Sequence, residues 1–283
     1  VAPLVAVIAD RTSPKYRGTI SSAYALGNDI GQFGGQVVAS FFLPVPKTGF
    51  IVMAVLTLFS GPLAALFLKE KSTIDMPVTK VTWKNFSQNF AFPTKNALNF
   101  YLALIGKLFI VTATFCISSY QLYILTDYIK LTGSNVQRYV SLISMVMMVC
   151  SIICVLFAGP LSDKIGKRKA PVIFASMVIA VGSLLPMFTN SAYIMLAYAV
   201  VAALGKGMYD SVDQALNIEV LPDPKTAAKD LGLLNMANNG GQVLGPIFSA
   251  SIIGIVGYAG IFPIAAITAA IGGILIIFVK GIK

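Results

Sequence analysis

Eight predominantly apolar stretches divide this chain, near residues 19–43, 49–68, 100–126, 138–158, 171–189, 192–216, 231–256 and 259–279. About 20 apolar residues wound into a helix cross the hydrocarbon core of a bilayer. A helix also satisfies every backbone group within its own segment, which lipid demands. Of the 283 residues, 57% are hydrophobic and 11% charged, against the roughly 25% charged of a soluble domain. The expected class is therefore an all-α integral membrane protein. Residues 1–9 are apolar but too short to cross and are expected to end a further helix, so the chain is expected to begin inside a longer protein.

Several functions fall away on residue types alone. There is no His, which removes His-ligated metals and any Ser–His or Cys–His catalytic pair. Cys116, Cys150 and Cys154 lie within apolar stretches and are expected to act as small core residues. No phosphate-cradling G-x-x-x-x-G-K-[ST] loop is present, which removes ATP-driven pumping. We expect no enzyme, no cofactor and no metal site.

The 21 Lys and Arg against 11 Asp and Glu are a signal of topology. Sixteen fall on one side of the spans: Arg11, Lys15 and Arg17, five lysines between 69 and 99, the Lys164–Lys169 loop, Lys225, Lys229, Lys280 and Lys283. Lys47, Lys130 and Arg138 are on the other side. By the positive-inside rule the richer face is cytoplasmic and the C-terminus lies inside. The expected surroundings are lipid, in the plasma membrane of a bacterium, with no nucleic acid partner.

An internal offset of 214 residues aligns Gly18, Ala23, Gly27 and Gly31 with Gly232, Ala237, Gly241 and Gly245. Spaced four apart, 27/31 and 241/245 predict close helix–helix approach. The loop GPLSDKIGKRKAP holds Gly159, Leu161, Asp163, Lys164, Gly166, Lys167, Arg168 and Lys169 at a helix junction. It resembles the G-x-L-x-D-[RK]-x-G-[RK]-[RK] loop of the major facilitator superfamily, and VIADRTSPKYRG is similar to that family's loop between helices four and five. The resemblance implies a helical bundle with eight complete spans, helices five to twelve, plus the end of a ninth. Residues 1–68 would then hold the end of helix four and helices five and six. Residues 69–99 would be the central cytoplasmic linker, and 100–283 the C-terminal six-helix half. Independently of the family, Asp163 can neutralise a helix N-terminus, and the basic residues can pair with Asp223 or Asp230. Such contacts would make a gating latch or a plain anchor.

Polar residues inside membrane helices are costly and face the bundle interior or water. They gather in four spans: Asn28, Asp29, Gln32 and Gln36; Lys107, Thr114, Ser118 and Gln121, with Tyr120 and Tyr123; Lys206, Asp210 and Asp213; and Asn235, Asn238, Asn239 and Gln242. Those four are expected to line an aqueous path. The spans at 49–68, 171–189 and 259–279 should face lipid, matching the division of cavity and peripheral helices that the resemblance implies. Lys206 and Asp210, one turn apart, either neutralise each other or leave Asp210 or Asp29 to bind a proton. Asp29 has no partner on its own helix. Asp213 is expected to be solvated or paired with the loop, and Lys107 to attract an anion or to hold Asp127 or Asp210.

A channel needs a ring of like charges or a filter loop, and the sequence has neither. The expected function is secondary active transport of a small polar solute, such as a sugar, by alternating access with a proton as the coupling ion. Drug or metabolite exporters of the family carry G-x8-G-x3-G-P in helix five. Here Gln32 replaces the Pro, and the whole pattern stands instead at Gly232, Gly241, Gly245 and Pro246. An efflux antiporter and an inactive truncated protein are the alternatives.

Overall fold

The computed structural model describes residues 16–67, 91–94, 97–223 and 226–281. The expected helix end at 1–9, Arg11, Lys15, most of the 69–99 linker, Lys225 and Lys283 lie outside the described residues. The described residues form eight long helices: α1 (Arg17–Phe41), α2 (Pro46–Phe67), α3 (Leu98–Ser118), α4 (Ser134–Ile165), α5 (Lys169–Leu184), α6 (Ala192–Glu219), α7 (Ala227–Val256) and α8 (Ile261–Ile277). Seven of them, α5 and α8 with an adjoining turn, are long and apolar enough to cross a membrane. Only α1 falls short, because Asn28, Asp29, Gln32 and Gln36 dilute its apolar content. It is held instead against α4 and α6.

The helices pack in the order α1, α4, α6, α5, α8, α3, α7, an open arc whose two ends face each other across a cavity. Two apolar clusters fill the arc. One is built on Phe100, Ile110, Val172, Leu216 and Leu234, and the other on Phe33, Ile143, Met195 and Phe262. Few side chains of α2 are buried, and among the described elements it packs on the α1 hairpin. Lipid is the solvent such a surface requires.

The stretch 100–126 is not one helix. α3 stops at Ser118 and is followed by a short turn at Gln121–Tyr123 and a wider π-type turn at Ile124–Tyr128. Thr112, Thr114 and Ser118 each turn a hydroxyl back onto a carbonyl of the preceding turn, competition that bends and weakens a helix. Tyr120 then leaves helical geometry at φ −105° and ψ 9°. At this end Thr126 and Tyr258 donate to Asp127, both at 2.8 Å, and hold its carboxyl below the usual carboxylate range.

The repeated glycines part company. A Cβ at Gly241 would sit 2.7 Å from Val111, and one at Gly245 2.7 Å from Phe115, so these two seat α7 on α3. Gly27 and Gly31 have no heavy atom within 4 Å of that position. Their expected close approach is absent, because they face the cavity.

Candidate functional site

The cavity has a volume of about 650 Å³. One wall is α1, where Asn28, Gln32 and Gln36 recur every four residues and Gly27 and Gly31 leave room beside them. The second is α6, with Lys206, Tyr209 and Asp210. α7 supplies Asn238 and Gln242, again one turn apart, while α3 contributes the mostly apolar Ile110, Val111, Thr114 and Phe115. Ile179 of α5 completes the lining. Helical period alone explains each polar row. The volume lies inside the range of about 300–1,000 Å³ typical of small-molecule sites.

Lys206 is the centre of the polar wall. Its ammonium donates to Asp210 one turn along α6 and to Asp29 Oδ1 of α1 at 3.2 Å. It also lies 5.6 Å from the centroid of the Phe33 ring, within cation–π range. Asp29 is fully buried and accepts a second hydrogen bond from Ser151 of α4. Its counter-charge is therefore on this chain, 177 residues away. Ser151 packs directly against Gly207, where an added Cβ would sit 2.6 Å from the Ser151 carbonyl. That contact brings the hydroxyl to the carboxylate.

A second network adjoins the first. Lys107 of α3 donates to Asp213 Oδ2 at 2.6 Å, and Asn217 and Gln214 donate to the same oxygen at 2.9 and 3.5 Å. Asp213 is buried rather than solvated, and Lys107 takes Asp213 in place of Asp127 or Asp210. The pair borders a hollow of about 60 Å³ lined also by Tyr24, Asn28, Tyr209, Asp210, Gln214, Asn235 and Asn238. Tyr120, Gln121, Tyr123 and Asn239 line neither space. The first three lie beyond the end of α3, with Tyr123 half exposed, and Asn239 points outward from α7. Tyr209, Gln214 and Asn217 were not singled out in the sequence. The spacing of 206, 210, 213 and 217 carries the signal for Asn217.

At the far end of α4, Gly166 takes left-handed geometry at φ 66° and stops the helix. Asp163 is thereby aimed at the start of α1. It accepts from the Gly18 and Thr19 amides at 2.9 and 2.7 Å and from the Thr19 hydroxyl at 2.7 Å. Here the unsatisfied amides and the positive end of the helix dipole favour a carboxylate. Arg168 donates to Asp163, to Ser162 at 3.0 Å and to Glu219 of α6 at 3.4 Å. Lys169 caps the C-terminal end of α8 through the Ile277 and Val279 carbonyls. Asp230 is held by Thr226 at 2.6 Å and Lys229 at 3.5 Å rather than by this loop. Lys164 and Lys167 are exposed.

Comparison with known proteins agrees with this architecture. An uncharacterized MFS-type transporter of Methanocaldococcus jannaschii is 24% identical over 279 residues, which is 96% of this chain and 68% of that protein. The human organic anion transporter MFSD10 superposes with a TM-score of 0.70 at 15% identity, over 97% of this chain and 67% of that one. A bacterial homologue of the iron transporter ferroportin, in its outward-facing state, gives 0.65 at 12% identity over 95% and 65%. At such identities the two structures speak for the fold, and this chain spans about two thirds of each relative's length. The profile of the Major Facilitator Superfamily matches residues 108–282. This multi-pass membrane chain belongs to the Major Facilitator Superfamily.

Proposed function

We propose that the chain acts in secondary active transport of a small polar solute, a sugar being the best-fitting class, by alternating access coupled to protons. The observation that carries this is the cavity wall in which amides of α1 and α7 face the Lys206–Asp29–Asp210 cluster. Asn28, Gln32, Asn238 and Gln242 offer donors and acceptors together, as hydroxyl-rich ligands require. A buried lysine shared by two carboxylates changes its pairing when one of them takes up a proton. Rocking of α1 against α6 would then redistribute the same charge. Asp163 and Arg168, which join α1, α4 and α6 at one end, act in this reading as the latch of that motion. The protein sits in the plasma membrane with this end and the C-terminus in the cytoplasm.

The test is proton movement into proteoliposomes, read by an internal pH-sensitive dye as a panel of sugars and other polar solutes is added. At least one solute should drive acidification, and Asp29→Asn and Asp210→Asn should each abolish it. Undiminished solute-driven acidification in both variants would overturn the assignment of the coupling site. Solute uptake with no proton movement would overturn proton coupling.

A further inference from the structure

The hollow beside Asp213 has an unmatched charge and an unmatched oxygen. Asp29, Asp210 and Asp213 are three carboxylates in one connected region, and Lys107 and Lys206 are the two ammonium groups set among them. With all five ionised, one negative charge remains. Lys107, Asn217 and Gln214 all donate to Oδ2 of Asp213, and Lys206 donates to Oδ2 of Asp210.

Independent of charge, Gln214 is a buried residue, 7% exposed, and its carbonyl oxygen Oε1 has no hydrogen-bond partner. A buried acceptor without a partner is costly, and Gln214 borders the hollow, where a ligand can supply one. The lining is rich in oxygen: Asp210, Asp213 and Gln214 follow one another on α6 at i, i+3 and i+4, with Asn28 of α1 and Asn235 and Asn238 of α7 opposite. The Asn235 amide nitrogen is already engaged by the Leu231 carbonyl at 3.2 Å, which leaves its oxygen free to coordinate. The volume of about 60 Å³ admits a few water-sized particles and no organic solute.

We infer that this hollow is a binding site for a hard monovalent cation, of the size of Na+, held by Asp210, Asp213 and the Gln214 carbonyl. Oxygen donors suit such ions, and one positive charge completes the balance where two would overshoot it. This deepens the transport reading above, on which it rests, by adding a second ion beside the proton. Tyr24 and Asp29 of α1, Lys107 of α3, and Lys206, Tyr209, Asp210 and Asp213 of α6 are the titratable groups around it, and α7 contributes only amides.

Binding is read without transport. Purified protein in detergent, at about pH 8 with N-methylglucamine as the background cation, is titrated with NaCl, KCl or choline chloride while thermal unfolding is followed. Na+ should raise the Tm saturably, with K+ and choline giving less. Gln214→Leu and, separately, Asn235→Ala should weaken the response about tenfold or more while leaving the Tm in N-methylglucamine close to that of the parent. A response equal for all three salts is ionic strength alone and overturns the site, as does wild-type affinity in both variants. Solute-driven proton flux that persists when Na+ gives no response would retire the site and leave the transport reading standing.

Discussion

Lys206 answers to two helices at once. Removing its charge strands Asp29, fully buried, with the Ser151 hydroxyl as its remaining hydrogen bond. Breaking a buried pair from one side costs about 3–5 kcal/mol. Lys206→Met should therefore lower the Tm markedly, and Asp29→Asn added to it should restore part of the loss. A double-mutant cycle on thermal unfolding checks this, and strict additivity would contradict the pairing. The same residues mark the limit of sequence reading. Lys206 and Asp210 are legible because one helical turn joins them. Asp29 with Lys206, and Lys107 with Asp213, are 177 and 106 residues apart, and no period connects them. Tyr120, Gln121 and Tyr123 were drawn onto a cavity face by extrapolating a helix that Ser118 ends.

Helices meet where side chains permit it, and α7 meets α3 at Gly241 and Gly245. Gly245→Val places branched carbon where Phe115 already lies at 2.7 Å, an overpacking of about 1–3 kcal/mol, and should lower the Tm. The corresponding Gly31→Ala on α1 meets nothing within 4 Å and should leave the Tm unchanged or slightly raised, since alanine favours helix. Equal losses at the two positions would refute the distinction. At the other end of α1, Asp163→Asn removes the charge from a cap worth roughly 0.5–2 kcal/mol. If the cap is also a latch, it should shift the balance of conformations measured by spin-label distances between α1 and α6. The equivalence of the two glycine sets in the sequence is real as a pattern. Only tertiary placement makes one pair a seam and the other an open wall.

Across the whole molecule, the existence of the eight helices was readable because each had to be about 20 apolar residues long, a demand of the solvent and not of the fold. Their arrangement was not, since the order α1, α4, α6, α5, α8, α3, α7 rests on glycine contacts and buried pairs between distant segments. Orientation is checked by labelling. With Cys116, Cys150 and Cys154 replaced by alanine, a cysteine at Lys167 should react with membrane-impermeant maleimide in inside-out vesicles, and one at Gln137 in intact cells. The reverse pattern would invert the topology.

Gly27 and Gly31 have one more consequence, for descent rather than for mechanism. Alanine, valine and one of the two acidic residues are each a single nucleotide change from any glycine codon, and at these two positions open space receives the first added atom. Selection can thus trim or charge the cavity wall one small step at a time without endangering the scaffold. In lineages that share this scaffold the lining of the cavity is free to diverge sooner than the architecture.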